Sequence, residues 1–196
     1  MTDEILVLDD VYTEQETSFV EDLLFSQKLS WVYFKTVSRG NDHPGALAEK
    51  PTPGFGCYIK QERPWFVNQD LFNDTRFIID KACERINKKW RYLINARAFM
   101  LFPLSEKFNV KHQSIHVDLK MPHLVCIYYV NDADGDTIIF DRKYDGTEQT
   151  YDSDWKELKR ITPKKGRILL FNGLMYHSSS SPKDNVRCII NFDLVV

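Results

Sequence analysis

The sequence has few of the features that mark secreted, membrane-bound or zinc-knuckle proteins. It contains four cysteines, at positions 57, 83, 126 and 188, and no Cys-x-x-Cys pair. Neither a disulfide framework nor a zinc knuckle is therefore expected. The first residues, MTDEILVLDD, are acidic where a secretory signal is basic. No apolar run approaches the ~18 residues of a membrane span. These absences predict a cytoplasmic protein with reduced thiols in its core.

Charge of one sign is also lacking, because 26 Lys and Arg residues stand against 28 Asp and Glu residues, for a formal net charge of -2. No overall field would draw the protein onto nucleic acid or an anionic membrane. One local cluster departs from this balance. Its members are Lys156, Lys159, Arg160, Lys164, Lys165 and Arg167. Such a run is usually a solvated face, and a nucleic-acid surface is the alternative.

The length of 196 residues, with 43% hydrophobic and 28% charged content, fits one domain over residues 1–196. A capping-box pattern and apolar residues at helical spacing predict a helix near 14–27, and an apolar stripe predicts a second near 75–90. Residues 38–56 hold four of the eight glycines and three of the eight prolines. This stretch is predicted to be a long loop, either a lid over a site or simply mobile. Nothing in the chain indicates its oligomeric state.

From residue 95 onward the pattern changes to short β-rich runs separated by turn signals. The runs are ARAFMLF, SIHVDLK, LVCIYYV, DTIIF, GRILLF and CIINFDLVV. Their spacing is typical of an antiparallel sandwich or barrel. The predicted fold is therefore mainly β with flanking helices, in which residues 1–94 give helical support and a lid loop and residues 95–196 form the β core. Residues 141–160 are predicted to be a surface excursion with one helical turn.

Three residues of this β region could hold a metal. His116 and Asp118 stand two apart in SIHVDLK, so on a strand they would share a face. His177 follows an apolar strand and is the candidate for a third ligand. Two histidines and one carboxylate on one face of a metal leave positions open, which is the arrangement of non-haem iron(II) oxygenases. Taken singly, the pair could be hydrogen-bonded at a strand edge and His177 could be a turn residue.

Arg187 lies ten residues beyond His177. If residues 166–173 and 186–192 are neighbouring antiparallel strands, Arg187 points into the same cavity as His177. A guanidinium in a partly buried cavity matches a planar carboxylate. A dicarboxylic cosubstrate could then bind the metal at one end and Arg187 at the other, and a surface salt bridge is the alternative role for Arg187.

The order of HxD, GDTIIF, PKKGRILLF, His177 and Arg187 resembles the 2-oxoglutarate and iron(II)-dependent oxygenase superfamily over residues ~95 to 196. The likeness is greatest to the prolyl 4-hydroxylase-like branch and its small bacterial and viral members. The resemblance implies a double-stranded β-helix core, of the jelly-roll or cupin-like type. It also implies that His116, Asp118 and His177 bind Fe(2+), that Arg187 binds the distal carboxylate of 2-oxoglutarate, and that O2 is the oxidant.

Two departures from the family pattern affect the residues expected to hold 2-oxoglutarate. Asp134 replaces the first glycine of the family turn at Gly135–Thr137. The family often has a tyrosine on the strand before HxD, where this chain has phenylalanines. The contact of that tyrosine could pass to Tyr128 or Tyr129, and Tyr128 is taken here as the candidate.

By this resemblance the protein is a dioxygenase that hydroxylates a peptidyl, prolyl-like side chain or a small molecule and releases succinate and CO2. Three alternatives stay open. One is a nucleic-acid demethylase of the same superfamily. Another is a non-redox, cupin-type enzyme that binds zinc with the same three ligands. The third is a ligand-binding module that has lost catalysis. Loops at residues 39–56 and 141–156 are predicted to gate substrate entry.

Overall fold

The structure, a computed structural model, describes residues 4–37, 52–105, 112–147 and 154–196. In these residues it contains two helices and eleven strands. In chain order they are β1 (Leu6–Leu8), α1 (Glu14–Phe25), β2 (Val32–Phe34), β3 (Gly54–Gln61), β4 (Phe66–Val67), α2 (Gln69–Arg85), β5 (Tyr92–Leu101), β6 (Leu124–Tyr129), β7 (Thr137–Lys143), β8 (Glu157–Ile161), β9 (Ile168–Asn172), β10 (Met175–Ser179) and β11 (Arg187–Val195).

The strands form two antiparallel sheets. The larger has eight strands in the order β1-β9-β6-β11-β5-β3-β2, with β4 paired to β3, and the smaller has three in the order β10-β7-β8. Apolar side chains from both sheets meet in one buried cluster, which includes Val125 and Ile127 of β6, Ile139 of β7 and Met175 of β10. This layering confirms the predicted mainly β, jelly-roll fold with flanking helices.

Both helices pack on the outer face of the larger sheet, where Val20 of α1 and Ile78 of α2 join a second buried cluster with Cys126 of β6. The first helix begins as predicted, since Thr13 and Glu16 form a complete capping box. Neither helix of the described chain is long and apolar enough to cross a membrane.

The predicted bounds of the second helix were wrong, because α2 begins six residues before position 75. The Asn68 side chain accepts a hydrogen bond from the Leu71 amide and caps the helix, and Leu71 is buried. At the other end, Asn87 takes a φ of 53°, a left-handed conformation that stops the helix before residue 90. The helix is therefore shifted toward the N-terminus.

The first 94 residues also contribute strands to the larger sheet, so they are more than helical support. Gly54 and Gly56, predicted to lie in a loop, belong to β3. A Cβ atom at Gly56 would lie 2.7 Å from the Phe34 ring, and one at Gly54 would lie 2.7 Å from the Met100 carbonyl oxygen. These glycines therefore permit close packing of neighbouring strands. Residues 39–51 of the predicted lid lie outside the described residues.

The excursion predicted at residues 141–160 is partly strand. β7 continues to Lys143 and β8 begins at Glu157. Residues 148–153 lie outside the described residues, so the single helical turn stays a prediction. Charged side chains from both strands stay on the surface, which hid the strand pattern in the sequence.

The basic cluster at residues 156–167 is tied to the N-terminal elements by ion pairs. Arg167 binds both oxygens of Asp9 at 2.8 and 2.9 Å, and Lys165 pairs with Glu21 of α1. The Arg167 guanidinium lowers the pKa of Asp9 below its usual value. These contacts link Lys165 and Arg167, just before β9, to the N-terminal elements packed beside that strand.

Candidate active site

The HxD segment is irregular chain rather than the predicted strand. Its one ladder contact is a bridge between His116 and His177, in which each backbone amide donates to the other residue's carbonyl, at 3.0 and 2.9 Å. The strand-like alternation persists nonetheless. Ile115 and Val117 are buried in an apolar cluster with Tyr176, whereas the side chains between and after them line a cavity. Ile115 and Val117 thus hold the segment against the apolar cluster, while His116 and Asp118 point into the cavity.

The structure brings His116, Asp118 and His177 together, each offering a ligand atom within 4.8 Å of the others. His177 lies on β10 rather than in a turn. Asp118 Oδ1 is 3.7 Å from His116 Nε2, and Asp118 Oδ2 is 3.5 Å from His177 Nε2. The Nδ1 atom of His116 faces the Ser114 carbonyl at 2.9 Å, and that of His177 faces the Met175 carbonyl at 3.1 Å. Protons on Nδ1 leave both Nε2 lone pairs for a metal.

The cluster keeps its carboxylate charged. Burial alone would raise the pKa of Asp118, but the hydrogen bond and charge of His177, with the charges of His116 and Arg97, hold it well below its usual range. The same hydrogen bond raises the pKa of His177, against burial that would lower it. The set of two imidazole nitrogens and one carboxylate oxygen fits iron(II) and similar divalent ions, and it opens onto the cavity.

A buried polar network stands behind the cluster. Asn191 donates to Asp118 Oδ2 at 3.1 Å and also to Asp193, whose other carboxylate oxygen accepts from Asn95. Burial, and then the Asp118 charge, raise the pKa of Asp193. His123 is fully buried, with its Nε2 atom 3.8 Å from Asp193 Oδ1. The sequence gives little sign of this network, because its members are spread over almost 100 residues.

Arg187 lies at the far end of the same cavity and is 3% exposed. Its Nε donates to the Gly135 carbonyl at 2.6 Å and its Nη2 to Thr137 Oγ1 at 3.0 Å. A Cβ atom at Gly135 would lie 2.8 Å from Arg187 Cδ, so the glycine of the GDT turn leaves room for the arginine. Within the described chain no carboxylate forms an ion pair with it. The surface salt bridge is therefore not its role there.

The route by which Arg187 reaches the cavity differs from the prediction. Its strand, β11, pairs with β5 and β6, whereas β9 pairs with β1 and β6. The two strands predicted to be neighbours are therefore separated by β6, and His177 belongs to the other sheet. Arg187 and His177 face one cavity because the two sheets are layered, not because they share a hairpin.

The two tyrosines of β6 point to opposite faces. Tyr128 lies in the cluster beneath the helices, with its ring centroid 5.4 Å from that of Tyr12, so its assignment to the cosubstrate pocket is corrected. Tyr129 faces the other way, and its hydroxyl donates to Thr137 Oγ1 at 2.7 Å. Burial raises the pKa of Tyr129 to about 12, and the phenol therefore stays protonated. Tyr129, Thr137 and Arg187 form one polar group at this end.

The cavity encloses about 570 Å³ and draws its walls from both sheets and the HxD segment. Sequence reasoning missed two polar residues in it, Arg97 of β5 and Asn191 of β11. Arg97 shares the cavity-facing side of β5 with Phe99, and Asn191 shares that of β11 with Ile189 and Arg187. A charged or amide side chain on the inward parity of a buried strand was the available signal.

No protein-family model matches the chain, and no curated protein matches it. Solved structures do match. An oxidoreductase of the 2OG-Fe(II) oxygenase family from Burkholderia pseudomallei has a TM-score of 0.60 at 11% identity, over 97% of this chain and 84% of that one. The α-ketoglutarate-dependent epimerase SnoN from nogalamycin biosynthesis has a TM-score of 0.64 at 12% identity, over 98% of this chain and 78% of that one. A Trichoplax adhaerens prolyl hydroxylase bound to a hypoxia-inducible-factor peptide has a TM-score of 0.57 at 14% identity, over 98% of this chain and 84% of that one. The chain therefore shares the fold of these 2-oxoglutarate-dependent oxygenases.

Proposed function

We propose that the protein is a 2-oxoglutarate- and Fe(II)-dependent dioxygenase that hydroxylates a peptidyl or small-molecule substrate. The main observation is that the cluster of His116, Asp118 and His177 lines the same cavity as the buried Arg187. Among the described residues, no carboxylate pairs with that arginine. A dicarboxylic acid that spans the two sites satisfies both. A zinc hydrolase would use the three ligands but would leave the buried guanidinium without a function.

Each residue has a defined task in this proposal. His116, Asp118 and His177 would hold Fe(II), and Asn191 would orient the carboxylate by donating to its Oδ2 atom. Bound iron would supply oxygen activation. One atom of O2 would enter succinate as 2-oxoglutarate loses CO2, and the other would hydroxylate the substrate. Arg187 would bind the distal carboxylate of 2-oxoglutarate, because a desolvated guanidinium is a strong carboxylate donor.

The deep end of the pocket is preorganised for that carboxylate. Gly135 and Thr137 already fix the Arg187 side chain through two hydrogen bonds, and Tyr129 fixes the Thr137 hydroxyl. Little side-chain entropy therefore remains to be lost when an anion binds. The pKa of Arg187 is lowered by burial, and a bound carboxylate would offset that desolvation.

The two substrate classes follow from proteins of the same fold. One neighbour is a prolyl hydroxylase bound to a peptide, and another, HygX from Streptomyces hygroscopicus, binds hygromycin B, nickel and 2-oxoglutarate. Val37, at the end of the described segment 4–37, lines the cavity, whereas the gating role of residues 39–53 stays a prediction. The paired state of the basic cluster at 156–167 gives no support to a nucleic-acid substrate.

Anaerobic binding of Fe(II) and 2-oxoglutarate tests the proposal. The wild-type protein is expected to show the weak visible absorption of the iron–2-oxoglutarate chelate, and to release succinate when O2 is admitted with a substrate. Arg187→Gln removes charge-assisted hydrogen bonds, so the 2-oxoglutarate concentration at half-saturation should rise about 10- to 100-fold. Arg187→Lys keeps the charge and should lie between the two.

Arg85→Gln is the matched control, because Arg85 is exposed at the end of α2 and is not among the residues that line the described cavity. Its half-saturation should equal that of wild type. Circular dichroism establishes that each variant is folded. Wild-type protein that binds iron but gives no chelate absorption with 2-oxoglutarate would exclude the oxygenase and leave a different metal chemistry.

A further inference from the structure

A second arginine of the cavity, Arg97, lies beside the ligand cluster rather than at the Arg187 end. On the larger sheet it is in register with Asn191 of β11 and Tyr58 of β3. Its Nη2 atom is 3.7 Å from Asp118 Oδ1, which is ion-pair range but too long for a hydrogen bond. Its guanidinium lies 5.4 Å from the Phe99 ring centroid. Arg97 thus reaches the cavity where the three ligands meet.

The guanidinium of Arg97 has unused hydrogen-bonding capacity. Its Nε is buried and has no hydrogen-bond partner within the described chain. An arginine cannot discharge itself by losing a proton, so a buried, unpaired donor on it is costly. The carboxylate within ion-pair range is that of Asp118, which a bound metal would engage. A bound metal would compete with Arg97 for that carboxylate, which leaves the guanidinium able to pair with a second anion in the cavity.

The rest of the cavity has the same excess of positive charge. Its charged lining, apart from the two histidines, consists of Arg63, Arg97, Lys120, Arg187, Glu62 and Asp118. Asp118 would bind the metal. Arg187 would bind the distal carboxylate of 2-oxoglutarate. Lys120 has contacts of its own, including one with the Tyr144 ring, so Arg63 and Arg97 then stand against Glu62 in the described lining. A cavity with this charge attracts and retains anions.

We propose, on the basis of the function proposed above, that Arg97 binds a carboxylate group of the prime substrate beside the metal ligands. The substrate is then an organic acid, either free or as an acidic side chain of a peptide. Arg97 lies close to the metal ligand Asp118. A substrate carboxylate bound to Arg97 would therefore lie within a few bonds of the substrate carbon that is oxidised. The planar guanidinium favours a carboxylate bound by two parallel hydrogen bonds.

Trifluoroacetate provides a probe that needs no knowledge of the substrate. Wild-type protein is loaded with Co(II), saturated with 2-oxoglutarate without O2, and titrated with trifluoroacetate while ¹⁹F relaxation is measured. Saturable paramagnetic relaxation is expected, and the diamagnetic Zn(II) protein gives the baseline. Neutral trifluoroacetamide should show no saturable effect. Arg97→Gln should weaken trifluoroacetate binding about tenfold or more, with Arg97→Lys intermediate, whereas Arg85→Gln should leave it unchanged.

Competition then identifies the source of the acid. Displacement of trifluoroacetate by propionate supports a free organic acid, and displacement by the blocked tripeptide acetyl-Ala-Asp-Ala-amide supports an acidic side chain of a peptide. Displacement by neither shows that the probe does not occupy a carboxylate site, and overturns the proposal.

Other outcomes also overturn it. They are the absence of saturable relaxation in wild type and equal trifluoroacetate affinity in Arg97→Gln. Weaker binding of both 2-oxoglutarate and 2-oxobutyrate in Arg97→Gln, by the same factor, would instead assign Arg97 to the cosubstrate. If the proposed function itself is wrong, the result is different. Addition of 2-oxoglutarate would then leave the visible spectrum of the wild-type Co(II) protein unchanged.

Discussion

Replacement of Thr137 by valine tests whether the deep end of the pocket is built around one hydroxyl. Thr137 Oγ1 accepts hydrogen bonds from the Tyr129 hydroxyl at 2.7 Å and from Arg187 Nη2 at 3.0 Å. The three residues are 2%, 0% and 3% exposed, respectively. Valine keeps the shape of threonine but leaves both donors without their partner. The substitution should therefore act through hydrogen bonding rather than through packing.

The expected loss of stability follows from the two donors. A buried polar group left unsatisfied costs about 1–3 kcal/mol. Two such groups, one of which faces a cavity that can admit water, give about 2–4 kcal/mol in the free energy of unfolding. Thr137→Ser keeps the hydroxyl and deletes one methyl group, which should cost about 1 kcal/mol. The difference between the two variants isolates the hydroxyl.

Urea unfolding measures the stability, and the iron–2-oxoglutarate chelate absorption measures the pocket. Thr137→Val should bind 2-oxoglutarate several-fold more weakly, since Arg187 loses a support, while its affinity for the metal alone stays that of wild type. Thr75→Val is the control, because Thr75 is fully buried in α2 and its hydroxyl donates to a backbone carbonyl that keeps its helical bond. A Thr137→Val protein within about 0.5 kcal/mol of Thr137→Ser would refute the reasoning.

Two further predictions concern the N-terminal ion pair and the support of the ligand cluster. Asp9→Asn should cost about 0.5–1 kcal/mol at pH 7, because the Asp9 side chain is 34% exposed and its pair with Arg167 is partly screened. Since the folded-state pKa of Asp9 is lowered, this difference should persist above pH 4 and disappear as the pH falls through that lowered pKa, as measured by denaturation at several pH values. Asn191→Leu removes the donor to Asp118 Oδ2 and should weaken Zn(II) affinity about tenfold or more in a chelator competition. Unchanged affinity would show that Asp118 is oriented without Asn191.

Much of the site could be predicted from residue types and their order. His116 and Asp118 lie far from His177 and Arg187 in the chain. All four are ionisable residues, which are rarely buried in an apolar core unless they are paired or bind a ligand. Such residues stand out against strands such as LVCIYY and RILLF. The β-rich runs predicted the fold class for the same reason, because their apolar residues occur in short segments bounded by turn residues.

The sequence determined which side chains could form the site, through composition and order along the chain. It could not determine which of Tyr128 and Tyr129 faces the cavity, because both faces of β6 are buried and its sequence has no polar face to mark the outside. It also could not place Arg97 beside Asp118, or Asn191 behind it, because those contacts join β5 and β11 to an irregular segment. Strand order and layering, set by long-range pairing, decided these points, since register and sheet neighbours depend on contacts that local sequence does not encode.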